Sequence, residues 1–402
     1  MATTSMLYHT MGLKGYRLLR TEYVRGKTIF HIALRDEKRR CAHCGSKWVV
    51  KAGKFTRTFR SVPIGLRATL LVLHGHRHRC QRCGRIRREE VLFADARRRY
   101  SRSFARMVVE LASYMALAHV AMTLRVGWDL VKEIFYGHLQ RKLKKRRFSH
   151  LRYIAVDEFA LRKGHRYITL VMDLETGAVL WVSMGKDSHG LEQFLWRLNR
   201  ARAPLKAIAM DMSKAYYKAV RKVFPHLDVV YDPYHVVAMV NKAVDDVRKG
   251  LYRQLSGQER KLIKGSRYLL LKGLEKLKPT ALQRLWELME INKPLYVAYL
   301  LKEDFRRFWD FRDPSHAADF LIDWLDRAVE SGLRPFIRLA YTLCKHFQGL
   351  MAYFHHRIST GPLEGLNNKI KVLKRQAYGY RDLNFFFLRI MFIHESIYSI
   401  TG

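Results

Sequence analysis

Acidic residues are scarce in this chain. The 402 residues include 35 Asp and Glu against 75 Lys and Arg, which gives a formal net charge of +40. A surface that repels itself so strongly argues against an ordinary enzyme of small neutral metabolites and favours a polyanionic partner. The basic residues are spread along most of the chain rather than gathered in one amphipathic segment. This distribution favours nucleic acid over an anionic membrane.

Long apolar runs are also missing. The most apolar windows, residues 111–126 and 384–400, are interrupted by charged or histidine side chains, so neither reaches the roughly 18 uninterrupted apolar residues that indicate a membrane span. The first 20 residues lack the charged start and apolar stretch of a signal peptide. We therefore expect two buried helices at these windows, no membrane partner and a cytoplasmic protein.

Cysteine is rare, and its spacing is informative. Four of the five cysteines form two Cys-x-x-Cys pairs, a pattern that suits a metal site in a reducing compartment better than a disulfide scaffold. The two-residue spacing lets both thiolates of a pair reach one tetrahedral ion from a tight turn, and a glycine follows each pair. The pattern predicts a structural Zn²⁺ held by Cys41, Cys44, Cys80 and Cys83.

Residues 1–95 around these pairs have the pattern of short strands, at 16–34, 48–51, 55–62 and 67–76. Arginine and lysine are frequent beside the cysteines. We interpret this region as a zinc-binding β module that binds DNA.

Residues 96–148 change to helical periodicity with basic flanks. A helix is predicted over 103–118, followed by apolar residues 117–122, a break near 125–127 and a second helical pattern over 128–135. This arrangement resembles a helix-turn-helix, whose second helix would enter a major groove.

Residues 149–240 return to strands. Three strands are predicted at 152–157, 167–174 and 178–184, with a turn at 175–177, and then a helix, a strand at 205–210, a helix and a strand at 228–231. This is the element order of the ribonuclease H-like fold. In that fold the first and fourth strands are neighbours, so Asp157 and Asp211, which end these strands, should lie side by side.

The rest of the chain is predicted to be helical. Residues 241–345 are too long for a loop within a compact fold, so we interpret them as an all-helical insertion, after which residues 346–402 complete the core. The predicted fold class is therefore a multidomain α+β protein. It combines a zinc-binding β module, a helix-turn-helix and a ribonuclease H-like catalytic core split by helices.

One acid stands out in the basic helix predicted near Pro362. Glu364 shares a helix face with Asn368, Lys371 and Arg375. Taken alone, it could simply complement the positive end of the helix. Phosphodiester chemistry offers another role, because carboxylates hold the two divalent ions that activate the attacking oxygen and stabilise the leaving one. Asp157, Asp211 and Glu364 are the three acids that this fold would bring together, with two Mg²⁺ or Mn²⁺ ions as cofactors.

Four segments carry a resemblance to a known family: residues 154–159, 208–213, 231–236 and 364–381. They resemble the ISL3-type insertion-sequence transposases of bacteria, which have a DDE catalytic domain. The resemblance implies that Asp157, Asp211 and Glu364 form the catalytic triad and that Asp232 and His235 form the D-x-x-H signature of several DDE families. For this second pair, support near the scissile phosphate and stabilisation of a strand end remain equal alternatives. The resemblance also implies a location in the bacterial cytoplasm, at the nucleoid when DNA is bound.

Further residues are expected to contact DNA. Amides and cations near the triad can hold the backbone without reading bases; these are Asn367, Asn368, Lys371, Lys374 and Arg375. Trp286, Trp309 and Trp324 either stack on an unpaired base or, as is more usual in a helical domain, belong to the core.

The main functional hypothesis is a transposase that binds terminal inverted repeats, cleaves the ends and joins 3′-hydroxyls to target DNA, as a homodimer on DNA. The alternatives are a sequence-specific DNA-binding regulator without catalysis and a ribonuclease H-like junction nuclease.

Overall fold

The computed structural model describes residues 6–144, 146–162, 164, 166–185 and 188–393. The chain forms two compact units, which are described separately. Among the described residues, the first unit contains 6–144 and 373–389, and the second contains 146–372 and 390–393. None of the helices in these ranges is long and apolar enough to cross a membrane.

The first unit begins with a five-stranded sheet. The elements in chain order are the short helix α1 (Met6–His9) and the strands β1 (Tyr16–Val24), β2 (Lys27–Leu34), β3 (Val49–Ile64), β4 (Arg67–Cys80) and β5 (Ile86–Arg88). The strand order is β1-β2-β4-β3, with β5 also paired to β4. Strands β2 and β4 run parallel, and the other pairs are antiparallel. Phe59, Leu71 and Leu73 are fully buried in the core on one side of this sheet.

The structure corrects two strand predictions in this sheet. The segment 16–34, expected to be one strand, is the antiparallel pair β1 and β2. The segments 48–51 and 55–62, expected to be separate strands, belong to the single 16-residue strand β3. The interruption between them is an irregularity in the pairing with β4, between Lys51 and Lys54. Gly53 lies in this interruption with φ of 130°, a conformation that favours glycine.

Three helices follow the sheet: α2 (Arg102–Tyr114), α3 (Leu117–Leu124) and α4 (Trp128–Lys144). Ser101 begins α2 by accepting a hydrogen bond from the Phe104 N–H at 3.1 Å. The chain reverses at Arg125, which has a left-handed φ of 49°. The predicted helix pair and its break near 125–127 are therefore both present, whereas the helix predicted over 103–118 ends earlier, at Tyr114.

The second unit contains the other five-stranded sheet. Its elements are β6 (Tyr153–Arg162), β7 (Arg166–Asp173), β8 (Val179–Met184), α5 (Ser188–Arg200), β9 (Ala207–Met210), α6 (Lys214–Val223) and β10 (Asp228–Tyr231). The strand order is β10-β9-β6-β7-β8. Strands β6, β7 and β8 form an antiparallel meander, whereas β9 and β10 run parallel to β6. The predicted side-by-side placement of the first and fourth strands is confirmed.

Helices follow the last strand. They are α7 (Pro233–Gln254), α8 (Gly257–Ile263), α9 (Arg267–Leu271), α10 (Pro279–Ile291), α11 (Lys293–Arg306), α12 (Pro314–Glu330), α13 (Arg334–Lys345), α14 (Phe347–His356), α15 (Gly361–Gln376) and α16 (Leu383–Phe392). The predicted final helix 383–399 extends beyond the described residues at its C-terminal end. A single buried apolar cluster continues from the sheet into the helices up to α14.

Two of the three tryptophans considered for base stacking belong to this core. Trp324 is fully buried and donates its indole N–H to the Leu301 carbonyl at 2.9 Å. Trp309 packs edge-on against Tyr353, with ring centroids 5.0 Å apart. The core alternative therefore holds for Trp309 and Trp324, while Trp286 is exposed.

Candidate catalytic and metal-binding sites

The carboxylates of Asp157 and Asp211 come from neighbouring parallel strands. Asp211 directly follows β9, as predicted, whereas Asp157 lies inside β6, which continues to Arg162 instead of ending at the aspartate. The register pairs Ala155 of β6 with Ala209 of β9. Asp157 and Asp211 each lie two residues after the alanine of their own strand. Parallel strands in this register carry such residues to the same edge of the sheet. Two chain segments more than 50 residues apart in sequence therefore deliver their acids to one point.

His235 joins these carboxylates. Strand β10 lies beside β9, and the chain turns from it into α7, whose first turn carries His235. The Nε2 atom of His235 lies 2.9 Å from Oδ1 of Asp211. Ligand atoms of Asp157, Asp211 and His235 all lie within 4.8 Å of one another. We call these three residues the acidic cluster.

The electrostatics of the acidic cluster are governed by burial and mutual charge. Burial raises the pKa of Asp157, and the nearby Asp211 carboxylate raises it further. Hydrogen bonds from the Glu158 N–H and from Asn367 act in the opposite direction. The contact with Asp211 raises the pKa of His235 against the opposing effect of burial. The imidazolium is thereby favoured, and it places a positive charge against the carboxylates.

Asp232 has a different environment from His235. It is buried, and its Oδ1 accepts a hydrogen bond from the Thr360 N–H at 3.2 Å. Its Oδ2 lies 3.8 Å from Nε2 of His235. Asp232 therefore connects the start of α7 to the residue that precedes α15, and it faces the acidic cluster at His235.

Helix α15 approaches the acidic cluster through Asn367. The Asn367 amide donates from Nδ2 to Oδ2 of Asp157 at 2.9 Å. The carboxylate acceptor fixes the orientation of this amide, because the reverse orientation would point oxygen at oxygen. Its Oδ1 is then buried without a hydrogen-bond partner among the described residues. Sequence reasoning assigned Asn367 to DNA contact, and the three-residue spacing from Glu364 was the signal that could have placed it at the cluster.

The other predicted residues of α15 are more open. Glu364 is exposed and is not among the residues that complete the acidic cluster within 4.8 Å in the described part of the chain. It lies one helical turn before Asn367 on the same face. Lys371 and Asn368 are exposed and contact each other, Nζ to Oδ1 at 3.2 Å. Lys374 is partly buried and Arg375 exposed in the last turn.

The donor atoms of this region fit a hard divalent cation. Two carboxylates and a buried amide oxygen without a partner, that of Asn367, are oxygen donors of the kind that such ions prefer. An unpaired buried oxygen is costly unless something binds it. The donor set of this region is therefore compatible with a divalent cation.

Tyr234 is a residue at this site that sequence reasoning missed. It precedes His235, and its ring meets the His235 ring edge-on with centroids 5.8 Å apart. The Tyr234 side chain is 73% exposed. Its position inside the Asp-Pro-Tyr-His segment was the signal that could have identified it.

The four paired cysteines form a second site, in the first unit. Sγ of Cys41 lies 3.8 Å from Sγ of Cys83, and Sγ of Cys44 lies 3.5 Å from Sγ of Cys80. All four sulfurs lie within 4.8 Å of one another. Tetrahedral coordination at a Zn–S distance of about 2.3 Å requires sulfurs about 3.8 Å apart. The observed spacing therefore fits one tetrahedral ion and is too long for disulfides.

Both cysteine turns have the same backbone bonding, which explains how they present two sulfurs each. The Gly45 N–H donates to the Cys41 carbonyl, and the Gly84 N–H donates to the Cys80 carbonyl, each at 2.9 Å. Gly45 and Gly84 have left-handed φ values of 72° and 69°. N–H groups of Cys83 and Arg82 lower the pKa of Cys80 to about 6, which favours the thiolate that a metal needs.

The chain is similar to known transposases over most of its length. Residues 154–390 match the family model of the ISL3-type DDE domain, described as a transposase, and residues 89–138 match the helix-turn-helix domain of transposase family ISL3. The chain is 33% identical to the transposase for insertion sequence element IS1001 of Bordetella parapertussis, over 94% of this chain and 95% of that protein. It is 28% identical to the transposase for IS1557 of Mycobacterium tuberculosis, over 86% and 83% of the two chains.

A solved structure, the Drosophila P element transposase strand transfer complex, is 12% identical with a TM-score of 0.34, covering 72% of this chain and 90% of that chain. A score this low leaves the assignment to the sequence matches. Those matches cover most of the chain and include the predicted helix-turn-helix and the predicted catalytic domain. The chain belongs to the ISL3 family of insertion-sequence transposases and is a DNA transposase.

Proposed function

We propose that this transposase binds the terminal inverted repeats of its insertion sequence, cleaves the DNA ends and joins the 3′-hydroxyls to target DNA by two-metal-ion phosphoryl transfer. One observation carries the proposal. Asp157 and Asp211 meet just beyond the point where the parallel pairing of β6 and β9 ends, and α15 reaches Asp157 through Asn367. The strand order β10-β9-β6-β7-β8 supports a ribonuclease H-like core, with residues 241–345 as its helical insertion.

Asp157, Asp211 and Glu364 would hold the catalytic Mg²⁺ or Mn²⁺ ions. When bound, such ions activate the attacking oxygen and stabilise the leaving oxygen of the phosphodiester. The support for Glu364 is its position on α15. A rise of 1.5 Å per residue puts it about 4.5 Å along the helix from Asn367, on the same face. A long, exposed glutamate at that position can turn toward the acidic cluster.

The chain's own residues prepare the site. Asn367 holds the Asp157 carboxylate in one orientation by its 2.9 Å hydrogen bond. His235 does the same for Asp211, and its protonated ring presents positive charge where a phosphate would approach. Asp232 supports this arrangement because its hydrogen bond from the Thr360 N–H joins the start of α7 to the start of α15. Asn368, Lys371, Lys374 and Arg375 then hold the DNA backbone, which requires charge and donors but no base recognition.

DNA-end recognition is assigned to the first unit. The four cysteines would hold a structural Zn²⁺ that orders the turns between the basic strands, and α4 would enter a major groove as the second helix of the helix-turn-helix. Two ends must be held together for transposition, so we propose that the protein acts as a homodimer on DNA in the bacterial cytoplasm. The +40 net charge supports an extensive contact with DNA.

The decisive experiment compares Asp157→Asn with the control Asp246→Asn. The control removes an exposed carboxylate of α7 that contacts Lys249 at 3.7 Å. Plasmid DNA that carries the sequences flanking the gene serves as substrate, with Mg²⁺. We expect Asp157→Asn to reduce end cleavage by at least about 10²-fold and to bind the ends as the wild type does. Unchanged cleavage would refute the catalytic assignment.

A further inference from the structure

Helix α15 ends in a turn that is suited to glycine but contains tyrosine. The Gly379 N–H donates to the Lys374 carbonyl and the Tyr378 N–H to the Arg375 carbonyl, each at 3.0 Å. These two bonds define a Schellman motif, in which the first residue past the helix cap is left-handed. That residue is Tyr378, with φ of 52°. A Cβ atom is unfavourable in this conformation, which is why glycine dominates the position.

The Tyr378 ring does not compensate for this cost by packing. Its side chain is 97% exposed, and among the described residues it makes no hydrogen bond, ion pair or ring contact. Tyr380, two residues later, stacks on Phe386 with centroids 4.4 Å apart. The remaining described residues with positive φ, glycine aside, are all arginines: Arg25, Arg97, Arg125, Arg202 and Arg357. An unpacked aromatic ring in a strained position therefore needs an explanation other than folding.

The surroundings of Tyr378 within the first unit suggest one. Together with its neighbours in 376–382 and with the starts of α3 and α4, Tyr378 lines a groove of about 570 Å³. The wall opposite contains Trp128, 45% exposed, with Nζ of Lys132 5.4 Å from the centre of its ring. His119 and Arg381 also line the groove. Aromatic faces interleaved with cations are the chemistry that binds unpaired nucleotides.

We propose that Tyr378 stacks on an unpaired nucleobase of bound DNA, with the nucleotide held in this groove. Both faces of the ring are free, and stacking needs an accessible base face. Bases inside a duplex are covered by their neighbours, so only an unpaired or extruded base can make this contact. Lys374, Arg375 and Arg381 supply the charge for the adjoining phosphates. The identification of that strand as the end of the element rests on the function proposed above.

The test compares two tyrosine-to-alanine variants of the full chain. Tyr378→Ala removes the proposed stacking ring, and Tyr341→Ala removes a 68% exposed tyrosine of α13. Binding of a 20-nucleotide oligothymidine and of a 20-base-pair duplex is measured without divalent metal at fixed salt. We expect Tyr378→Ala to weaken oligothymidine binding between about 5- and 100-fold and duplex binding by less than about twofold. Tyr341→Ala should change neither, and Tyr378→Phe should bind as the wild type does.

Thermal unfolding and photocrosslinking test the same assignment independently. Because the left-handed turn favours glycine and the Tyr378 ring is not packed, Tyr378→Gly should raise the unfolding temperature, by about 2 to 4 °C. Such a rise would show that the ring does not stabilise the fold. Oligothymidine containing 5-iodouracil should crosslink to the tryptic peptide 376–381, at Tyr378 rather than at Tyr380.

Equal losses on both DNA probes, no loss on either, or a lower unfolding temperature for Tyr378→Gly would overturn the inference. If the Tyr378→Ala variant cleaves ends normally and binds oligothymidine as the wild type does, the stacking site is refuted and the proposed catalytic function is not. Failure of the proposed function is read separately, from the effect of Asp157→Asn on cleavage.

Discussion

Asn367→Ala is the perturbation that best tests how the acidic cluster is built. The substitution removes the amide that donates to Oδ2 of Asp157 at 2.9 Å. It leaves in place the second donor to this carboxylate, the Glu158 N–H at 2.7 Å from Oδ1. The change therefore weakens the support of Asp157 without removing the carboxylate itself.

The size of the effect follows from this contact. A hydrogen bond to a charged group contributes about 1.5 to 3 kcal/mol, and Asp157 is only partly buried, so water can replace part of that. We expect a loss of about 1 to 2 kcal/mol, or about 2 to 8 °C in the unfolding temperature for a unit of this size. A misplaced carboxylate at a metal site typically reduces activity about 10- to 100-fold.

The pH dependence should change in a defined direction. Burial already raises the pKa of Asp157, and the Asn367 contact lowers it. Loss of that contact raises the pKa further, so a smaller fraction is ionised at a given pH. The acidic limb of the cleavage profile should therefore move to higher pH in Asn367→Ala.

The assay is end cleavage between about pH 5 and 9, together with calorimetric unfolding. Asn199→Ala is the control, because Asn199 is an exposed asparagine of α5 in the same unit and has no proposed role at the site. If Asn367→Ala and Asn199→Ala show the same unfolding temperature, cleavage rate and pH profile, Asn367 does not position Asp157.

Two other predictions concern the rest of the fold. Cys44→Ser or removal of zinc by a chelator should lower the unfolding temperature of the first unit and weaken DNA-end binding, because small zinc modules derive their folding energy from the metal. Zinc analysis of the wild type should find one ion per chain. The control Cys344→Ser alters an exposed cysteine outside the cluster and should lose neither zinc nor DNA binding. Gly349→Ala should destabilise the second unit by about 1 to 3 kcal/mol, because the added Cβ would overlap the Tyr231 ring and lie 3.1 Å from the Val229 carbonyl. Gly250→Ala, at a helical position with open space around it, should instead stabilise the unit by about 0.5 to 1 kcal/mol. Equal unfolding temperatures for the two variants would contradict the packing argument.

Local patterns were sufficient for most of the secondary structure. Short apolar runs bounded by turns predicted β6 to β10, and helical periodicity predicted the helix pair around Arg125. These signals work because each depends on neighbours within a few residues. The boundary between 51 and 55 was wrong, because polar exposed residues interrupt the apolar pattern while β3 continues its pairing with β4 through an irregularity.

The site was predictable where topology follows from element order. Once β6 and β9 are neighbours in this register, Asp157 and Asp211 each lie two residues beyond the last pair of the ladder and are brought close together. The cysteine pairs were equally readable, because the two-residue spacing itself sets the turn. Glu364 remains a prediction that the cleavage experiments must test.

The sequence by itself determined most of the strands, the helix pair and the paired cysteines, since all of these depend on local spacing. Only the tertiary structure decided that Asn367 meets Asp157 across 210 residues, that His235 lies against Asp211, and that Tyr378 projects from its turn without packing. Such contacts depend on how a distant helix approaches a sheet, or on what fails to cover a side chain. The periodicity of the residues gives no information about the approach of a distant helix or about which side chains stay uncovered.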